Sequence, residues 1–222
     1  ITPITIELTN INEPPVANFS GIVFSISKDA PVGSVVNVNG GLSVYDVDAN
    51  DVSFTFASTS EANLFAIDKY TGHISVSNIL DYESKTSVAI SVSATDTGGL
   101  SDSGNVIIKI VDVNEPPTIN STIYVKLFEN MGANTLVGSP LNAVDPDANQ
   151  IIAFKLINNT NTPFDIVGCN GQLILRGDAV DYETQNEYRL LVEVRDNGIP
   201  SLATSTEIIV SVVDVNDPPV ID

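Results

Sequence analysis

The chain has 222 residues, a formal net charge of −19 and a single cysteine, Cys169. Its 28 acidic residues against 9 basic residues exclude the nucleic-acid backbone as a partner and favour cations. One cysteine excludes an internal disulfide, and no apolar run is long enough to span a bilayer. The hydrophobic content of 43%, in short runs broken by Gly, Pro, Asn and Asp, predicts an all-β protein.

A proline-containing signature occurs three times and divides the chain into units. Asn12, Asn114 and Asn216 each precede an acidic residue and two prolines, and successive signatures are 102 residues apart. Paired prolines restrict the backbone, so each signature predicts a stiff, extended connector. Residues 1–12 read as the last strand of a preceding repeat, and the chain is expected to come from inside a longer array. The predicted divisions are the end of a preceding repeat at 1–13, repeats at 14–115 and 116–217, and the start of a linker at 218–222.

Each repeat is predicted to contain about seven short strands, because apolar and polar residues alternate with a period of two. A second strand is expected after a glycine-marked bend in each repeat, and no segment has helical periodicity. The fold predicted is two tandem seven-stranded immunoglobulin-like Greek-key β-sandwiches. The other predicted strands are 22–27, 52–57, 65–67, 74–76, 88–94 and 106–110 in the first repeat, and 123–128, 151–157, 164–166, 173–175, 188–194 and 208–212 in the second.

Four acidic motifs recur in both repeats. In extended backbone, residues i and i+2 point the same way, so each Asp-x-Asp or Asp-x-Glu triplet is expected to aim two carboxylates at one place. Like charges 4 Å apart repel by about 1 kcal/mol in water, and Ca²⁺ takes about six to eight oxygen ligands. The pattern predicts calcium sites, although Asp and Asn also shape ordinary turns. The motifs are Asp46-Val47-Asp48 with Asp145-Pro146-Asp147, Asp81-Tyr82-Glu83 with Asp181-Tyr182-Glu183, Asp96 with Asp196, and the connectors.

These residues resemble the calcium signatures of cadherin repeats, and the resemblance covers both repeats nearly end to end. It is carried by the DVNEPP and DVNDPP connectors, both DxD motifs, both DYE motifs, Phe128-Glu129-Asn130 and the Ala-Thr-Asp before TGG. The resemblance implies an extracellular adhesion module in which Ca²⁺, bound at each junction between adjacent cadherin repeats, makes the array rigid.

The resemblance also implies a ligand set for each junction. The N-terminal junction, where Asn10 replaces the usual Asp, is expected to hold one ion at most, and the C-terminal half-site is expected to be weak without a following repeat. For the central junction the implied ligands are Asp81, Glu83, Asp112, Asn114, Glu115, Asp145, Asp147, Asn149 and Asp196. For the N-terminal junction they are Asn12, Glu13, Asp46, Asp48 and Asp96, and for the C-terminal half-site Glu129, Asp181, Glu183, Asp214, Asn216 and Asp217.

One position departs from the family pattern. Lys28 stands in the first repeat where Glu129 stands in the second. An ammonium cannot bind Ca²⁺ and repels ions near it. Asp29 is no substitute, because a shift of one residue points to the other face of a strand. The central junction is therefore expected to bind fewer or weaker ions than the family norm.

No catalytic constellation is found, and an enzyme is not expected: His73 is the only histidine, and no phosphate-binding glycine loop is present. Three functions remain open. The first is a set of internal repeats in a large membrane-anchored surface protein that binds another cadherin or the matrix; the second is a passive calcium-stiffened spacer. The third is a carbohydrate-binding accessory module of a microbial secreted protein. Sequons at Asn18, Asn120 and Asn158 are compatible with glycosylation. The absence of Trp favours an internal position, because strand-swapping cadherin tips dock a tryptophan.

Overall fold

The computed structural model describes residues 4–57, 62–157, 162–177 and 180–216. The chain divides into two compact units, unit 1 (Ile1–Val113) and unit 2 (Asn114–Asp222). Asp217, the sequon at Asn158 and the predicted linker 218–222 lie outside the described residues. In the described part, the single helical element is the short 3₁₀ turn Ala62–Leu64, and no helix is long and apolar enough to cross a membrane.

Unit 1 contains a main four-stranded sheet with strand order β2-β8-β7-β4, and two smaller pairs, β1-β3 and β5-β6. Strand β7 pairs antiparallel with β8 and with β4, whereas β2 pairs parallel with β8. The strands are β1 (Val16–Ala17), β2 (Ile22–Ser27), β3 (Val44–Tyr45), β4 (Ser53–Phe56), β5 (Phe65–Ile67), β6 (Ile74–Val76), β7 (Ser87–Thr95) and β8 (Ser101–Val111).

Unit 2 repeats this arrangement with a four-stranded sheet of order β11-β14-β15-β9 and a three-stranded sheet of order β10-β13-β12. Strand β9 pairs parallel with the last strand, β15, as β2 pairs with β8 in unit 1. The strands are β9 (Thr122–Phe128), β10 (Leu136–Val137), β11 (Ala153–Leu156), β12 (Phe164–Val167), β13 (Gln172–Leu175), β14 (Glu187–Arg195) and β15 (Ala203–Val213).

Each unit has its own hydrophobic core, built from the period-two faces of these strands. In unit 1, alternate residues of β7 from Val88 to Ala94 are fully buried and lie next to Val106 and Ile108 of β8. In unit 2, Leu190 of β14 occupies the matching buried face. Each fully buried aliphatic side chain contributes about 1.5–3 kcal/mol. The all-β, tandem-sandwich fold predicted from the alternation is confirmed.

The N-terminal segment is not paired with either unit. No strand is assigned to the described residues 4–12, and Ile4, Ile6 and Leu8 are exposed. A strand needs a neighbouring strand to accept and donate its ladder hydrogen bonds, and no pairing involves these residues. The predicted partners of this segment belong to a preceding repeat, so the assignment of residues 1–12 to that repeat stays a prediction.

The parallel pairing of β2 with β8, and of β9 with β15, positions the acidic residues. The pair β2-β8 ends at Ser27 opposite Val111, and β9-β15 ends at Phe128 opposite Val213. The residue that follows β2 or β9 therefore lies beside the start of the acidic connector that follows the last strand of its unit.

Candidate metal sites at the ends of each unit

Acidic residues gather at both ends of each unit, and each group is described within its own unit. The N-terminal cluster contains the connector that enters the unit, the Asp-x-Asp motif and the aspartate that follows β7 in unit 1 or β14 in unit 2. The C-terminal cluster contains the residue that follows β2 or β9, the Asp-x-Glu motif and the aspartate after the last strand. The N-terminal clusters are Asn12, Glu13, Asp46, Asp48 and Asp96 in unit 1, and Asn114, Glu115, Asp145, Asp147 and Asp196 in unit 2; the C-terminal clusters are Lys28, Asp81, Glu83 and Asp112, and Glu129, Asp181, Glu183 and Asp214.

In unit 1, hydrogen bonds tie the connector to the N-terminal cluster. The side-chain amide of Asn12 donates to Asp96 Oδ2 at 2.7 Å, and the backbone N–H of Glu13 donates to Asp48 Oδ2 at 2.8 Å. Asn10 donates to the other oxygen of Asp48 at 2.6 Å. The hydrogen bond from Glu13, followed by that from Asn10, lowers the pKa of Asp48, so this carboxylate is held ionised.

Unit 2 repeats these contacts with different residues. Asn114 donates to Asp196 Oδ2 at 2.9 Å, and the N–H of Glu115 donates to Asp147 Oδ2 at 2.8 Å. The N–H of Asp147 donates to Asp145 Oδ1 at 3.0 Å, as that of Asp48 does to Asp46 at 2.8 Å in unit 1. The two units therefore form equivalent hydrogen bonds between the connector and the acidic residues.

The N-terminal clusters contain buried oxygens that the described chain leaves without a hydrogen-bond partner. They are Oδ2 of Asp46 in unit 1, and Oδ2 of Asp145, Oδ1 of Asp147 and Oε1 of Gln150 in unit 2. Burial, together with the charges of Asp147 and Asp196, raises the pKa of Asp145 although it accepts the N–H of Asp147. A buried anionic oxygen without a partner is costly unless a cation compensates it. Oxygen ligands of this kind fit a hard cation such as Ca²⁺.

The C-terminal cluster of unit 2 brings three carboxylates together. One oxygen each of Glu129, Glu183 and Asp214 lies within 4.8 Å of the others. Glu129 is buried and accepts the backbone N–H groups of Tyr182 at 2.8 Å and Val215 at 2.6 Å. These two hydrogen bonds lower the pKa of Glu129, so its carboxylate is held ionised beside two further acidic side chains. This donor set also fits a hard divalent cation.

The C-terminal cluster of unit 1 has a cation of its own. Lys28 Nζ lies 3.3 Å from Glu83 Oε1 and 3.3 Å from Asp112 Oδ1, and its side chain is 3% exposed. The expected metal ligands Glu83 and Asp112 are thus ion-paired to an ammonium. Asp29 is exposed and lies in the turn that follows β2, outside the strand.

The expectation that the acidic triplets lie in extended backbone is wrong. Residues 46–48, 81–83, 145–147 and 181–183 lie in turns or bends outside the strands. Asp81 uses both oxygens to accept the N–H and hydroxyl of Ser84, at 3.0 and 2.6 Å, and Asp181 accepts the same groups of Thr184 at 3.2 and 2.7 Å. Turn geometry, rather than strand alternation, therefore sets the direction of each carboxylate.

Residues not singled out from the sequence complete the N-terminal clusters. Asn50 donates to Asn12 Oδ1 at 2.6 Å, and Gln150 donates to Asn114 Oδ1 in unit 2. The expected ligand Asn149 is exposed and lies in the turn after the Asp-x-Asp motif, with a positive φ of 66°. The sequence signal that could have identified these two residues is an amide side chain shortly after the Asp-x-Asp motif. It follows the second aspartate of the motif by two residues in unit 1 and by three in unit 2.

Two glycines allow the connector asparagines to approach the aspartates. An ideal Cβ on Gly98 would lie 2.6 Å from Asn12 Nδ2, and one on Gly198 would overlap Asn114 Oδ1. Both glycines lie in the turn that follows the aspartate of the cluster. Only a residue without a side chain fits this close approach.

Tandem β-sandwiches with matching acidic clusters at their ends define a class of repeat proteins. A family model, the Cadherin domain, matches residues 22–111 and 124–213. The chain belongs to this family and consists of two cadherin repeats, the modules of extracellular cell-adhesion proteins, and calcium binding is characteristic of the family.

Curated relatives agree with this assignment. The chain is 31% identical over 219 residues to protocadherin Fat 4 of Mus musculus, covering 95% of this chain and 4% of that protein. It is 33% identical over 229 residues to protocadherin Fat 1 of Homo sapiens, covering 96% of this chain and 5% of that protein. The chain therefore spans a small part of the length of these relatives.

Solved structures show the same fold. Repeats EC22–24 of mouse cadherin-23 match with a TM-score of 0.69 and 24% identity, over 91% of this chain and 65% of that chain. At this identity the likeness supports the fold alone.

Proposed function

We propose that this chain is a pair of internal repeats of an extracellular, calcium-dependent adhesion protein, in which bound Ca²⁺ rigidifies the junction between successive repeats. The observation that carries the proposal is the recurrence, in both units, of buried carboxylate oxygens without a hydrogen-bond partner at the end where the connector enters. Protein groups fix the rest of each cluster, so these oxygens remain available to an ion.

The residues proposed to hold Ca²⁺ are those whose oxygens are not already used in hydrogen bonds within the cluster or that converge as carboxylates. In the N-terminal cluster of unit 2, Asp145 and Asp147 offer unpartnered oxygens, while Asn114 fixes Asp196. In the C-terminal cluster of unit 2, the three converging carboxylates are available. A bound Ca²⁺ supplies the positive charge that these groups lack. The cluster of Asp46 in unit 1 has the same form, with one unpartnered oxygen.

Sharing of ions between repeats is the second part of the proposal. Asp112 follows the last strand of unit 1, and Asn114 and Glu115 begin unit 2, so one short connector carries ligands expected of both repeats. The oxygens described above, three without a hydrogen-bond partner in the N-terminal cluster of unit 2 and three that converge in its C-terminal cluster, are fewer than the about six to eight that Ca²⁺ takes. Ligands from both sides of a connector would complete the coordination and limit the relative motion of the repeats.

Isothermal titration of the chain with Ca²⁺ tests metal binding. Sites in extracellular modules bind in the range of about 0.1–1 mM, and binding should raise the unfolding temperature with the logarithm of the Ca²⁺ excess over the dissociation constant. Asp145→Asn should weaken binding at least about tenfold, because it removes one anionic ligand. Glu7→Gln removes an exposed carboxylate outside the clusters and should bind like the native chain. Equal binding by all three proteins, or none by the native chain, would refute the proposed sites.

Small-angle scattering in Ca²⁺ and in chelator tests the mechanical part. Calcium should narrow the distribution of the radius of gyration if ions are shared between repeats. A distribution unchanged by saturating Ca²⁺ would leave metal binding intact but remove the rigidifying role.

Sedimentation in Ca²⁺ then separates an adhesive segment from a spacer. Reversible association of the chain at high concentration supports contact between copies. A monomer at every concentration favours the spacer, and binding on a glycan array would instead favour a carbohydrate-binding module.

A further inference from the structure

Lys28 and Glu129 occupy the same position in the two repeats. Lys28 directly follows β2 and Glu129 directly follows β9, and each donates its backbone N–H to the last residue of the final strand of its unit. The distances are 2.9 Å from Lys28 N to Val111 O and 3.1 Å from Glu129 N to Val213 O. Both residues are buried, with exposures of 6% and 3%. The two side chains are therefore alternatives at one structural site.

The partners of this site are also equivalent. Glu83 and Glu183 end the Asp-x-Glu motifs, and Asp112 and Asp214 follow the last strands. In unit 2 the three groups are all carboxylates that converge within 4.8 Å. In unit 1 the third carboxylate is replaced by an ammonium that contacts both of the others at 3.3 Å.

This replacement makes the cluster more positive by two elementary charges, which equals the charge of one Ca²⁺. Two carboxylates and an ammonium leave one net negative charge, whereas three carboxylates leave three and require an external cation. The buried Lys28 Nζ also lies 3.3 Å from both the Glu83 and the Asp112 carboxylate, so a metal ion bound by these two groups would meet the ammonium. The residues at this end therefore do not fit the metal position that the matching end of unit 2 provides.

We propose that the Lys28 ammonium acts as a built-in cation that takes the place of one Ca²⁺ at the C-terminal end of the first repeat. This inference rests on the proposed calcium function and specifies one ion position that the first repeat does not offer. The C-terminal cluster of unit 1 is stable without calcium, whereas the equivalent cluster of unit 2 depends on it. Calcium depletion thus loosens the ends of the two repeats unequally.

The sharpest test compares equivalent substitutions in chelator. Glu83→Gln removes a partner of Lys28, and Glu183→Gln removes one of three like charges at the matching position. Hydrogen exchange read by mass spectrometry follows each end separately, around residues 26–30 and 127–131. Without calcium, Glu83→Gln should accelerate exchange several-fold at its end, and Glu183→Gln should leave exchange unchanged or slow it. Effects of the same sign at both ends would overturn the proposal.

A second variant converts one kind of site into the other. Lys28→Glu recreates the three-carboxylate arrangement of unit 2. In chelator, the backbone amide hydrogens around residues 26–30 should exchange faster in this variant than in the native chain, and added Ca²⁺ should slow their exchange again. Titration should show an additional bound Ca²⁺ compared with the native chain. An unchanged calcium stoichiometry would overturn the proposal.

The two proposals fail separately. Should the native chain bind no Ca²⁺, the proposed function fails, and the comparison of Glu83→Gln with Glu183→Gln in chelator still decides whether Lys28 balances its cluster. Should calcium bind and both variants behave alike, the role of Lys28 fails alone.

Discussion

Gly198→Ala is predicted to destabilise unit 2 by displacing the side chain of Asn114. A Cβ at Gly198 would overlap Asn114 Oδ1, so one of the two residues must move. Asn114 cannot move freely, because its amide donates to Asp196 at 2.9 Å and to the carbonyl of Pro200 at 3.1 Å. The clash is therefore expected to break hydrogen bonds rather than only to shift a loose side chain.

The expected loss follows from the bonds at stake. A hydrogen bond to a charged group contributes about 1.5–3 kcal/mol and a neutral one about 0.5–1.5 kcal/mol. Partial rehydration of the half-buried Asn114 reduces the sum, so we expect a loss of about 2 kcal/mol. For a repeat of this size that corresponds to a fall of roughly 10 °C in the unfolding temperature.

Thermal unfolding in chelator measures this loss without calcium masking it. Gly132→Ala is the matched control, since its Cβ would meet open space and its backbone is not in the left-handed region. The control should change stability by less than about 1 kcal/mol. In an Asn114→Ala background, Gly198→Ala should cost little, because the clash is gone. A Gly198→Ala protein as stable as the control would refute the reasoning.

Two further predictions concern buried polar groups. The pKa of Glu129 is lowered by the backbone hydrogen bonds from Tyr182 and from a second N–H, so its stabilising contribution is present above the unfolded-state pKa and is lost as pH falls through the folded-state pKa. The urea midpoints of native protein and Glu129→Gln, measured in chelator, should therefore converge in acid; a gap independent of pH would contradict this. Asn37→Ala should cost about 2–3 kcal/mol in urea unfolding because Asn37 accepts the buried N–H of Ile74 at 2.8 Å, whereas exposed Asn39→Ala should be neutral, and equal midpoints would argue against it.

The strands could be predicted because their signal is local. Period-two alternation depends only on which face of a strand is buried, and it gave strands such as Ile22–Ser27 and Phe65–Ile67 with their observed bounds. Residues 4–12 show the limit of that signal. They have the same alternation, but pairing needs a second strand that the pattern within a segment does not specify.

The candidate sites were only partly predictable, because their geometry depends on turns and on distant contacts. The motifs identified the acidic residues, but turns direct the carboxylates, as the hydrogen bond from Asp48 N–H to Asp46 shows. Gln150 was missed because its contact with Asn114 spans 36 residues of chain. The sequence marked Lys28 as unsuited to bind metal, but not that it would contact two acidic side chains from other segments.

The parallel pairing of β2 with β8, and of β9 with β15, determines how each repeat resists a force that stretches the chain. Tension enters unit 1 at the start of β2 and leaves at the end of β8, and these two points are at opposite ends of the pair Ile22–Ser27 with Val106–Val111. The load is therefore spread in shear over the whole ladder, and its hydrogen bonds must break together rather than one after another. A repeat with this topology suits a molecule that transmits force between its two termini.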